Sequence, residues 1–145
     1  MSPPRAASAP IDALQTALAA EHAAVFVYGA LGGQTSQSDD PTLYAEITDA
    51  YVTHRDRRDR LVRVIEAAGR QPVAAEPGYD LPVDLSTPIA VADRALQLER
   101  ACAATYAFVV ASTSEDDRRW AVDALLDTAV RELGFGGRPE RLPGL

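Results

Sequence analysis

Four ionisable residues near the centres of apolar-patterned stretches carry what chemistry this sequence offers: Glu21, His54, Glu99 and Asp127. Three carboxylates and an imidazole brought together can hold a cation, and that donor set suits iron, manganese or zinc. The same residues can instead close on one another as a polar core. In that reading His54 is protonated or hydrogen-bonded, Tyr51 lies one turn before it, and Arg57 or Arg58 turns inward to neutralise the two glutamates. Two carboxylates on apolar helix faces require such a cation, because like charges in low dielectric do not both stay ionised. The pairing network is the preferred reading, so no cofactor is expected. Iron or manganese held by Glu21, His54, Glu99 and Asp127 is the alternative.

The elements that must position these groups are helices. In Ile11–Leu31, Leu14, Leu18, Val25 and Tyr28 recur along one face, and Glu21 falls on it. Pro10 suits the start of this helix, and Gly32-Gly33 is expected to end it with a left-handed cap. Asp40-Pro41 makes an N-cap and first-turn proline for a second helix, from about Pro41 to Ala68. Its inner face is read as Leu43, Ile47, Ala50, His54, Leu61, Val64, Ile65 and Ala68. A third helix runs from Thr87-Pro88 to about Ala111, with Ala92, Ala95 or Leu96, Glu99, Cys102 or Ala103, Tyr106 and Val110 inward. The fourth spans about Glu115–Leu133, with Val122, Leu125, Leu126, Ala129 and Leu133 as its apolar face and Asp127 beside it. Residues 1–9 read as a disordered lead-in, 10–134 as one domain and 135–145 as a loose tail.

Between the second and third helices, prolines at 72, 77 and 82 disfavour both helix and strand. At ~3.3 Å per residue this connection can run back along a helix of ~28 residues, itself ~42 Å long. Such a crossover leaves helices 2 and 3 parallel. The expected class is therefore all-α: a four-helix bundle with a long crossover.

Composition excludes several classes. At 145 residues the chain suits one domain, and a formal charge of −7 argues against nucleic acid as a partner. One cysteine, Cys102, excludes an internal disulfide and reads as a buried hydrophobe. No stretch has the ~18 uninterrupted apolar residues of a membrane span, and the N-terminus lacks a signal peptide's apolar core, so a cytoplasmic location is expected. GALGG and GFGG follow no strand and make no phosphate loop. Tyr28, Tyr51 and Tyr106 at inward positions read as core aromatics with a satisfied polar tip, capping of the carboxylates through their hydroxyls being the alternative, whereas His22, about 100° round the helix from Glu21, belongs at a helix boundary.

Two helical hairpins joined by a crossover, with inward carboxylates at mid-helix, resemble the ferritin-like four-helix superfamily. The resemblance is strongest to a small, alanine-rich, uncharacterised ferritin-like family, a domain of unknown function, of high-GC bacteria. It rests on AAEHAAVFVYGALG in helix 1, Y-x-x-H-R-x-R-R-D at Tyr51–Asp59, and LERACAATYAF in helix 3. Diiron members of the superfamily use a Glu from each of two helices and a Glu-x-x-His pair from each of the others. The resemblance implies Glu21 and Glu99 as the single glutamates, His54 as one histidine and Asp127 as a carboxylate. Tyr51 and Val130 stand where two further ligands belong. It implies a protein of unassigned activity, lacking a complete diiron site, that acts as a homodimeric binding or structural protein. A metal-dependent oxidoreductase or iron-handling protein is the alternative. Val25, Val27 and Leu31 are the expected dimer strip.

Overall fold

The computed structural model describes residues 9–145, and most of the expected lead-in lies outside the described residues. Four helices follow in order: α1 (Ala9–Gly33), α2 (Pro41–Ala67), α3 (Pro88–Ser112) and α4 (Glu115–Gly134). Among the described residues there is no strand, and no helix is long and apolar enough to cross a membrane. Side-chain caps start α2 and α3. Asp40 accepts from Leu43 N at 3.0 Å and Thr87 from Ala90 N at 3.1 Å, and each is followed by a proline that has no N–H to satisfy. Gly69, at φ 76°, supplies the left-handed turn after α2. Gly33 adopts no such conformation, so α1 ends without the expected cap.

The α1–α2 and α3–α4 hairpins pack through α1 and α3. Residues 68–87 then return along the outside of α1. Gln15 donates to Gln71 O at 2.7 Å and accepts from Val73 N at 2.8 Å; His22 Nε2 reaches Val73 O at 2.9 Å; and Phe26 meets Tyr79 at 5.4 Å between centroids. Partners thus climb α1 as the strap climbs its own sequence, which places the start of α3 beside the start of α2 and makes those helices parallel. His22 pins this crossover and does not lie between helices.

Leu14, Leu18, Leu31, Ile47, Leu61, Ile65, Val91 and Val109 form the fully buried apolar centre. Each contributes on the order of 1.5–3 kcal/mol by leaving water. Alanines 17, 24, 50, 95, 103 and 121 let the helices approach around them. Val27 and Leu31 are part of this core, so of the expected dimer strip Val25 alone is partly exposed. Nor is the C-terminal segment loose: Phe135 is buried beside Tyr28, and Gly144 crosses so close to the Ala103 carbonyl that a Cβ there would collide.

The largest departure is α4. Its buried face is Ala121, Ala124, Thr128 and Glu132, while Val122, Leu126 and Leu133 face outward. A two-residue turn joins α3 to α4, and Glu115 takes φ 50° to make it. Such tight geometry fixes the rotation of α4 and presents its small and polar side to arginines from α2 and α3.

Replacing both Gln15 and His22 by alanine should leave the four helices intact at a cost of about 1–2 kcal/mol. Cleavage by a nonspecific protease within residues 71–79 should rise several-fold; an unchanged cleavage rate would show that the strap is held by other contacts.

Candidate functional site

The structure brings Glu21, His54 and Glu99 together at the centre of the bundle, each at or below 1% exposure. His54 Nδ1 lies 2.6 Å from Glu21 Oε2, and Nε2 lies 3.0 Å from Glu99 Oε1. A neutral imidazole carries one N–H, so it satisfies one carboxylate and turns a lone pair on the other. With a carboxylate oxygen on each side, both nitrogens donate when the ring carries both protons, as the imidazolium. Burial opposes that charge, but the Glu21 carboxylate, by charge and hydrogen bond, and then Glu99 outweigh it and raise the pKa to about 9.

Two tyrosines complete the cluster by crossing between helices. Tyr28 of α1 donates to Glu99 of α3, and Tyr106 of α3 donates to Glu21 of α1. Burial first, and then the neighbouring carboxylate, push both phenol pKa values well above their usual 10, so both stay protonated as donors. In each helix glutamate and tyrosine are seven residues apart, two turns or ~10.5 Å. The exchange is possible because α1 and α3 run antiparallel, which sets Glu21 level with Tyr106 and Tyr28 level with Glu99. The Tyr28 ring also stacks on the His54 ring, 5.3 Å between centroids and 20° between planes. Cys102 is buried close by; burial, then Glu21 and Glu99, raise its pKa, which keeps it a neutral thiol with little nucleophilic character.

The second cation comes from α4. Arg131 Nε lies 3.8 Å from Glu99 Oε1, and its guanidinium is anchored on Asp49 at 2.8 Å, Asp127 at 3.1 Å and Thr53 at 3.2 Å. Each hairpin therefore contributes one glutamate and one cation: Glu21 with His54, and Glu99 with Arg131. Arg57 is buried too but spans from α2 to α4, donating to Asp127 at 2.6 Å, Thr128 at 3.1 Å and Ala124 O at 3.2 Å, with its guanidinium over the Tyr106 ring. Arg58 turns aside to Asp59, and Tyr51 sits half-buried under Arg55 in a groove between α1 and α2. Neither arginine considered from the sequence reaches the two glutamates.

Asp127 is not gathered with Glu21, His54 and Glu99; it lies near the surface between Arg57 and Arg131. The inward i, i+3 pair of α4 is Thr128 and Arg131, one position on from Asp127 and Val130. Arg131 was hidden from a periodicity reading because the true inner face is shifted from the apolar stripe. Its one sequence signal is a spacing of three from Thr128, matching that of His54 from Tyr51.

The ligand pattern of diiron four-helix proteins does not fit these residues. The imidazole stands between the two carboxylates, so they do not converge on a shared point, and the Arg131 guanidinium lies beside Glu99. Among the described residues, no group of three or more His, Cys, Asp or Glu side chains is arranged to hold a metal ion.

Residues 13–145 match a protein family described as a domain of unknown function, DUF4439. The chain belongs to this family. It is also similar to a conserved hypothetical protein from Mycobacterium tuberculosis of known crystal structure, with a TM-score of 0.81 and 32% identity over 90% of each chain. No curated protein matches it. The four-helix architecture and the long crossover are thus properties of a DUF4439 chain with a solved relative.

Removing one partner of a buried ion pair strands the other charge, so His54→Ala in this DUF4439 protein should cost about 3–5 kcal/mol in a denaturant titration. A loss of under ~1 kcal/mol would show that the glutamates find another neutralising partner. Stability should also depend on alkaline pH. The folded pKa of His54, about 9, lies above the unfolded value of 6.5, so its contribution is complete below pH 6.5 and is lost as pH rises through 9. Between pH 6.5 and 10, urea titrations should show a loss of which His54 accounts for roughly 3 kcal/mol. That share should vanish in His54→Ala, leaving the smaller alkaline loss of Cys102, Tyr28 and Tyr106, whose pKa values burial also raises, and an equal slope in both proteins would assign it elsewhere.

Proposed function

We propose that this chain is a ferritin-like bundle in which a proton and an arginine neutralise the carboxylates that a metal would otherwise hold. It acts as a self-associating binding or structural protein, without redox chemistry at its core. The observation that carries this reading is the double engagement of His54: with a carboxylate on each ring nitrogen, the imidazolium has no lone pair to offer. Arg131 beside Glu99 and the missing convergence of donors support it. The parallel arrangement of α2 and α3 supports the ferritin-like relationship.

A second reading, a metal-dependent oxidoreductase or iron-handling protein with a reduced ligand set, draws on one feature. Glu99 Oε2 is buried and accepts no hydrogen bond, whereas Oε1 takes those of Tyr28 and His54.

Elemental analysis separates the two. Protein produced with added iron, manganese and zinc, then dialysed without chelator, should retain well under one equivalent of any transition metal. One equivalent, lost in both Glu21→Ala and Glu99→Ala variants that still show helical circular dichroism, would overturn the first reading.

A further inference from the structure

The outward side of α4 carries a row of exposed apolar side chains. Val122, Leu126, Val130 and Leu133 recur at spacings of four, four and three, and are 37%, 58%, 67% and 44% exposed. A sequence reading places most of them in a core, yet the core takes Thr128 and Glu132 instead. Beside this ridge runs a groove of about 490 Å³ between α2 and α4, lined by Ala45, Asp49, Val130, Arg131 and Phe135 among others.

We propose that the α4 ridge and the α2–α4 groove together form the face through which two copies of this chain associate about a twofold axis. The inference rests on the reading of the chain as self-associating and adds which face is used. Leu126 and Val130 of one copy enter the groove of the other, with the two α4 helices antiparallel.

Three observations favour a second copy as the occupant. A twofold interface must be self-complementary, and here a ridge and a groove lie side by side on one face. Area agrees as well. A 20-residue helix alone offers a strip of ~30 Å by ~10 Å, about 300 Å² a side, which is the scale of incidental packing. Adding the α2 edge doubles the width to ~20 Å and brings the total over both partners to about 1,200 Å², the lower bound of specific interfaces. The third is charge. The chain carries −7, but Asp49 and Asp127 at the groove are already paired with Arg131 and Arg57, so two acidic copies can meet there with little repulsion. Glu46, at the Gly134 end, is a lining carboxylate that makes no ion pair among the described residues. A partner would also cover Arg131 and so seal the central cluster on its α4 side.

Sedimentation equilibrium of the full chain at 10–100 µM, about the range where a modest interface populates a dimer, should return twice the mass of 15.5 kDa. Leu126→Asp and Val130→Asp should each weaken association at least ~100-fold, equivalent to two factors of ten in Kd, with the helical spectrum unchanged because both positions are exposed. Val83→Asp, at a fully exposed position of the crossover, should leave the dimer intact. Added salt should tighten a dimer of two acidic chains. As a second measurement, Val130→Cys should be joined between copies by a short bismaleimide, whereas Val83→Cys should not. A wild-type monomer throughout that range would overturn self-association itself. A dimer that survives both aspartate variants, weakens in salt, or crosslinks equally through Val83→Cys would overturn this face and leave self-association standing.

Discussion

An imidazolium held between two buried carboxylates is the interaction on which the rest of this bundle depends. Glu21 and Glu99 lie on apolar faces where an unpaired negative charge is costly, and His54 touches both. The arrangement reaches all four helices: α1 and α3 supply carboxylates and phenols, α2 the imidazolium, and α4 the guanidinium. Around it the alanine-rich faces bring the helices close enough for side chains of fixed length to meet. The local dielectric that makes the cluster necessary is thus created by the same packing that makes it possible.

How much of this is legible in the sequence follows from the kind of signal each residue gives. Glu21 and Glu99 stand out because a carboxylate on an apolar stripe demands a partner, and His54 stands out because it falls inward on the neighbouring helix. The crossed tyrosines are visible as a repeated spacing, EHAAVFVY against ERACAATY, although only the antiparallel packing shows that each caps the other helix's carboxylate. The proline-rich connection announces the crossover through its length.

What stays hidden is concentrated in α4. Periodicity identifies an apolar stripe but not whether that stripe faces the molecule or leaves it, and here the two-residue turn after α3 fixes the outward choice. Once Val122, Leu126 and Leu133 are assigned inward, Arg131 is necessarily placed outward, and the closing cation is sought among Arg57 and Arg58 instead. The error in one helix's rotation therefore propagates into the site. Phe135 and Gly144 escape notice for a different reason: a short glycine- and proline-rich segment carries no period, so its packing on Tyr28 and α3 has no sequence signature.

The exchange of phenols between α1 and α3 has a mechanical consequence. A slip of one helix along the other by a single turn, ~5.4 Å, would unseat both tyrosines at once and strand both carboxylates. The two bonds act like the teeth of a key, spaced two turns apart and admitting one axial alignment. Helices rich in alanine have smooth surfaces that would otherwise slide with little penalty. In this bundle, shape keeps the helices close, and polarity decides where along their length they stop.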